Sequence, residues 1–116
     1  MLKKTHRLRK SKDYKRLVQN SRSYRFGALS VRVKPNQKNI TRVGVVAGIA
    51  ISKKAVVRNR VRRQLQEIMR LFLKEEKVRQ GFDIMVRPDA RAISLSYDKL
   101  RETLGNILQK VGVYAN

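Results

Sequence analysis

Apolar residues recur along the chain with two periods. From Lys53 to about Glu76 the period is helical. Val57, Val61, Leu65, Ile68 and Phe72 follow at steps of four, four, three and four, which keeps them on one stripe. Arg58, Asn59, Arg62, Arg63, Gln66 and Arg70 fall on the opposite side. The pattern predicts an amphipathic helix docked by its apolar edge, with a basic face outward. A second helical stripe, Leu100, Leu104, Ile107, Leu108 and Val111, follows Ser96 as its cap. A short helix over Lys12 to Gln19 is predicted behind Ser11, with Asp13 in its first turn and Tyr14, Leu17 and Val18 on one face.

Elsewhere the period is two. Tyr24 to Lys34 alternates, with Leu29, Val31 and Val33 on a core face and Phe26, Ala28, Ser30, Arg32 and Lys34 on an open face. Pro35 to Asn39 reads as a turn. Arg42 to Ile51 reads as a second strand, expected to pair with the first as a hairpin. One of its faces is bulky. The other, Gly44, Val46, Gly48 and Ala50, is mostly small, which either admits a close neighbour or relieves crowding. Gly81 is expected to stop the central helix. Phe82 to Arg87 is a short strand, and Pro88-Asp89 a turn. The order helix, strand, strand, helix, strand, helix predicts an α+β class: a two-layer sandwich of helices on a small sheet. Residues 1–116 are expected to form a single domain, with residues 1–10 an extended basic arm carrying Lys3, Lys4, Arg7, Arg9 and Lys10.

Charge sharpens this picture. With Ser52 as N-cap, Lys53, Lys54, Arg58 and Arg60 crowd the positive pole of the central helix, where each cation costs up to ~1 kcal/mol. No acid offsets them before Glu67. A local rule broken this consistently marks function, and amides, dipole and cations converging on one place make an anion site suited to phosphate. The chain carries 29 Lys and Arg against 8 Asp and Glu, a net charge of +21. That excess points to a polyanionic partner. No apolar run approaches a membrane span, and no signal-peptide pattern is present. Cysteine is absent, which fits a cytosolic setting. No recognition-helix pair or wedge supports a DNA-architectural role. Tyr14, flanked by Lys12, Lys15 and Arg16, either packs in the core or stacks on a base.

Catalytic chemistry finds little footing. His6, the single histidine, lies in the arm, and Glu75 and Glu76 diverge on a helix. No carboxylate pair has metal-nuclease spacing, although Asp83 and Asp89 are near enough in sequence to be tested as a pair. No glycine-rich nucleotide loop occurs. The residues describe a nucleic-acid binder rather than a self-sufficient enzyme.

Ala55-Val56-Val57-Arg58-Asn59-Arg60-Val61-Arg62-Arg63 resembles the signature of the bacterial ribonuclease P protein subunit. Arg7-Leu8-Arg9-Lys10 with Asp13-Tyr14 resembles the family's start, Arg42-Val43-Gly44 its second major strand, and Ile84-Met85-Val86-Arg87-Pro88 its late strand. The resemblance implies a ribosomal-protein-like fold with a left-handed strand-helix-strand crossover. It also implies a cofactor role beside a catalytic RNA. The holoenzyme cleaves precursor tRNA to free the mature 5′ end, with Mg²⁺ held mainly by RNA and one protein per RNA. RNA-subunit contacts then fall to Lys53, Lys54, Arg58, Asn59, Arg60, Arg62, Arg63 and Arg70. Contacts to the single-stranded 5′ leader fall to Tyr14, Val18, Phe26, Ser30 and Arg32. Val18 stands where members often carry a second aromatic, and Arg32 where a tyrosine is common. Gly48-Ile49-Ala50 replaces a Ser-Lys-Lys run, and Ser21 a glycine. The rival reading is a ribosomal protein or RNA chaperone with no part in cleavage.

Overall fold

The computed structural model describes residues 4–114 apart from Arg9 and Asn20; Lys3 and Arg9 of the expected arm lie outside them. The elements are α1 (Ser11–Val18), β1 (Arg22–Phe26), β2 (Leu29–Pro35), β3 (Arg42–Val45), α2 (Ala55–Lys74), β4 (Phe82–Pro88) and α3 (Tyr97–Lys110), with short 3₁₀ turns at Lys4–His6 and Ala90–Ser94. The sheet runs in the order β1-β2-β4-β3. β1, β2 and β4 pair antiparallel, whereas β3 is parallel to β4.

The hairpin lies elsewhere than predicted. Tyr24 to Lys34 is two strands, because Gly27 takes a left-handed φ of 58° and reverses the chain. β3 does not pair with β2; β4 inserts between them. Val86 lies opposite both Val31 and Val45, and Ile84 opposite both Val33 and Val43. Only a strand apolar on both faces suits that central place, and Asp83 to Val86 are all buried. β3 ends at Val45, and Ile49 stands 71% exposed in the loop that follows.

Val31, Val33, Val43, Ile84 and Val86 meet Val61, Leu65, Ile68 and Phe72 of α2 and Leu100, Leu104, Ile107 and Leu108 of α3 in one core. Apart from half-buried Val57, both predicted stripes are buried there, each buried aliphatic side chain contributing about 1.5–3 kcal/mol. The α+β class stands, with α2 and α3 layered on this face and α2 joining parallel strands. α1 lies across the other face, where Leu17 packs on Leu8 and Met85.

The helix ends differ in detail. Ser96 caps α3, its Oγ accepting the Lys99 N–H at 3.1 Å. Ser11 is the first residue of α1 rather than its cap. α2 begins at Ala55, and the Ser52 hydroxyl instead accepts the Lys54 N–H at 3.1 Å, folding a turn ahead of the helix. α2 ends at Lys74, seven residues before Gly81. Glu76 takes the left-handed conformation (φ 58°), and the Lys77 N–H reaches the Phe72 carbonyl at 2.8 Å, a Schellman closure without glycine. The arm is not free either. The Leu8 N–H donates to the Val43 carbonyl at 2.9 Å, and His6 Nδ1 donates to the Thr41 carbonyl at 2.8 Å. No helix among the described residues is long and apolar enough to cross a membrane.

Candidate nucleic-acid interface

Two surfaces adjoin. The first is a groove of about 520 Å³ on the open sheet face, lined by Tyr14, Lys15, Val18, Val46, Met85 and Arg87 among others. Alternation along β4 sends Met85 and Arg87 to this face, and pairing sets Arg32 beside Met85 and Ser30 beside Arg87. Tyr14 Oη donates to the Leu8 carbonyl at 2.9 Å. Its ring lies over Gly44, whose missing Cβ leaves the room: an added one would stand 2.0 Å from Oη. The small-residue face of the second strand thus admits a close neighbour at Gly44, whereas at Gly48 there is open space. Burial, and secondly the Asp13 charge, push the Tyr14 hydroxyl above the usual tyrosine range. Tyr14 is both packed and groove-lining, since it is only partly buried. Val18 stands 56% exposed at the lip.

Phe26 does not join this groove. It pairs directly with Leu29, and directly paired residues share a sheet face. Leu29 faces the core. Counting Phe26, Ala28 and Ser30 as one alternating run fails because the chain reverses between them. Arg87, Met85 and Val46 went unassigned in the sequence reading, although the alternation from Phe82 onward carries the signal for the first two.

The second surface is the N-terminal half of α2. Lys53, Lys54 and Arg63 are exposed. Arg58 does not project away. Its Nη1 donates to the Ser52 and Lys53 carbonyls at 2.9 and 3.1 Å, bracing the turn before the helix. Arg60 Nη2 donates to the Ile93 carbonyl at 3.0 Å. Arg62 donates to Asn59 Oδ1 at 2.7 Å and to the Ala47 carbonyl at 3.3 Å. These guanidiniums are positioned by one or two bonds each and keep further donors for a ligand. Arg70 differs. It grips Glu67 through Nε and Nη2 at 3.0 and 2.6 Å, and that grip holds the Glu67 carboxyl down at about 2. Arg70 is therefore a neutralised member of the predicted set. The two surfaces touch at residues 46 and 47: Val46 lines the groove while the Ala47 carbonyl holds Arg62.

Three carboxylates are spent on arginines. Arg42 holds Asp83 and Asp13. Arg91 holds Asp89 at 2.6 Å, keeping that carboxyl below the usual range. Asp83 and Asp89 are thus engaged separately. No three His, Cys, Asp or Glu among the described residues converge as a metal site.

A mixed sheet with a basic helix at one end and a cation-rimmed groove on its open face defines an α+β RNA-binding domain. The chain belongs to the ribonuclease P protein family: the family's sequence model, described as Ribonuclease P, matches residues 2–112. The ribonuclease P protein component of Pseudanabaena is 35% identical over 114 residues, 97% of either chain. That of Clostridium botulinum (strain Langeland) is 31% identical over 111 residues, 96% of this chain and 98% of the relative. Among solved structures, the Thermotoga maritima RNase P protein superposes with a TM-score of 0.80 at 27% identity, covering 90% of this chain and 96% of its own. The Staphylococcus aureus RNase P protein reaches 0.83 at 20% identity, over 95% and 98%; at that identity the likeness is one of fold.

Proposed function

We propose that the chain is the protein subunit of ribonuclease P, acting with an RNA that carries the catalytic centre, and that it helps remove the 5′ leader of precursor tRNA. The observation that carries this reading is the junction at Val46 and Ala47, which makes the signature helix and the groove one continuous surface. On this reading, Lys53, Lys54, Arg58, Asn59, Arg60, Arg62 and Arg63 meet phosphates of the RNA subunit. Tyr14, Val18, Arg32, Met85 and Arg87 receive the leader. Stacking on Tyr14 and neutralisation by Arg32 and Arg87 tolerate any leader sequence, as a subunit serving many precursors requires. Mg²⁺ belongs to the RNA and supplies the hydrolytic chemistry there. The protein's own residues bind and orient substrate. One protein per RNA, in the cytosol, completes the proposal.

The test is reconstitution. Ribonuclease P RNA and precursor tRNA are incubated at low Mg²⁺ with and without the protein. Cleavage at the mature 5′ end should require or be strongly stimulated by the protein, with weaker stimulation when the leader is shortened to a single nucleotide. Tight RNA binding without any effect on cleavage would instead favour the ribosomal-protein or chaperone reading.

A further inference from the structure

A second concave site lies on the far side of α1 from the groove. It holds about 490 Å³ between α1 and the loop that follows β2. Lys10, Lys12 and Arg16 stand on one wall, Lys34 and Lys38 on the other, and Arg42 at the floor. None of the residues lining it lines the groove. Helical geometry explains the separation: residues 12, 13 and 16 of α1 turn one way, residues 14, 15 and 18 the other.

The charge balance of this pocket is incomplete. Its two carboxylates, Asp13 and Asp83, are both taken by Arg42. Arg42 Nε and Nη2 reach Asp83 at 2.9 and 2.7 Å, and Nη1 reaches Asp13 at 3.3 Å. The five cations of the walls form no ion pair among the described residues. Like charges facing one another across a concavity repel, and a cleft of one sign focuses its field outward. The walls are also fixed in advance. Asn36 Nδ2 donates to Asp83 Oδ1 and to the Ile40 carbonyl, both at 2.9 Å, while Asn36 Oδ1 accepts the Lys38 N–H at 2.8 Å. The Asn36 N–H donates to the Gly81 carbonyl at 2.9 Å. A pinned loop lowers the ordering cost of binding.

We propose that this pocket binds a backbone phosphate of an RNA segment other than the one in the groove. Lysines suit a phosphate as point charges. The lining contains no aromatic side chain for a base. The RNA subunit and a distal part of the precursor are the two sources of such a phosphate. The inference rests on the proposed function only for the identity of that RNA.

The pocket itself is tested on free ¹⁵N-labelled protein titrated with inorganic pyrophosphate. Amide shifts should concentrate at residues 12–16 and 36–38. They should be lost in Lys12→Ala/Lys38→Ala and kept in Lys74→Ala/Lys110→Ala, which removes equal charge from the last turns of α2 and α3. Shifts spread over the whole basic surface, or kept in the pocket variant, overturn the site. The source is tested by RNA affinity as a function of salt. For each lost phosphate contact the slope of log K against log salt should shrink by about 0.7–0.9 in the pocket variant and stay unchanged in the control. Shrinkage with the RNA subunit alone assigns the phosphate to that subunit. Shrinkage only when holoenzyme binds leader-bearing precursor assigns it to the precursor. A pocket variant matching the control in both arms overturns the RNA assignment. Failure of the unaltered protein to bind either RNA overturns the subunit reading instead, and the pyrophosphate titration still decides the pocket.

Discussion

Gly44 sets the depth of the groove. A methyl group there would stand 2.0 Å from Tyr14 Oη and 2.7 Å from Cζ, so the ring would have to leave its place against β3. Gly44→Ala should destabilise the fold by about 1–3 kcal/mol, as overpacking does. In a Tyr14→Ala background the same change should cost little. A double-mutant cycle in urea measures the coupling, and additive losses would show that the two residues do not share the site. The Tyr14 hydroxyl gives a second test. The folded state holds its proton more tightly than the unfolded chain, whose tyrosines ionise near pH 10. That contribution to stability is complete below the unfolded value and is lost as pH rises through the higher folded value. Above pH 10, unaltered protein should therefore lose more stability than Tyr14→Phe. At neutral pH, Tyr14→Phe should cost about 0.5–1.5 kcal/mol for the bond to Leu8. Urea midpoints from pH 8 to 11 check both, and parallel curves would remove Tyr14 from the account.

Elements decide which side chains act together. Phe26 of β1 pairs with core-facing Leu29, whereas Arg87 of β4 lies on the opposite face beside Ser30, so Phe26→Ala should leave precursor binding unchanged. Arg87→Ala, on the groove side, should weaken it by about 1.5–3 kcal/mol while sparing mature tRNA. Filter binding with both substrates separates them; equal effects would mean the leader runs elsewhere. Along α2 the arginines divide in a similar way. Arg63 is exposed, whereas Arg58 braces the turn at Ser52 and Lys53. Arg63→Ala should weaken RNA-subunit binding with no change in melting temperature. Arg58→Ala should lower both affinity and amide-exchange protection at residues 52–55. Identical behaviour of the two variants would erase the distinction. The helices were legible because a 3.6-residue stripe is a local signal, and the signature sat wholly on one of them. The start of α2 was misread because Ser52 serves a turn just ahead of the true start. The hairpin was misread because Gly27 changes the parity on which every facing assignment depends. The place of β4 between β2 and β3 is a non-local fact that alternation does not encode. The groove inherited both errors: Phe26 was placed in it, and Met85 and Arg87 were left out.

At the scale of the whole molecule, charge dominates. The net charge is +21, and Asp13, Asp83 and Asp89 are each held by arginine. Affinity for the RNA subunit should fall with salt at a slope of roughly −4 or steeper, several phosphates being neutralised at once. Titrations from 0.05 to 0.5 M salt measure it, and a nearly flat line would mean that shape rather than charge carries binding. The sheet order has a consequence in time. β4 is the last strand to be synthesised, yet it lies between β2 and β3. Until it arrives, Leu29 and Pro35 lack Pro88 and Phe82, and Val43 lacks Ile84. A chain whose β4 has yet to emerge therefore holds a hairpin, a strand joined only to the arm and an amphipathic helix whose covering sheet is incomplete. Folding must wait for long-range pairing, the slow kind. During that wait the basic segments are already available to RNA, so association has the chance to precede the closing of the sheet.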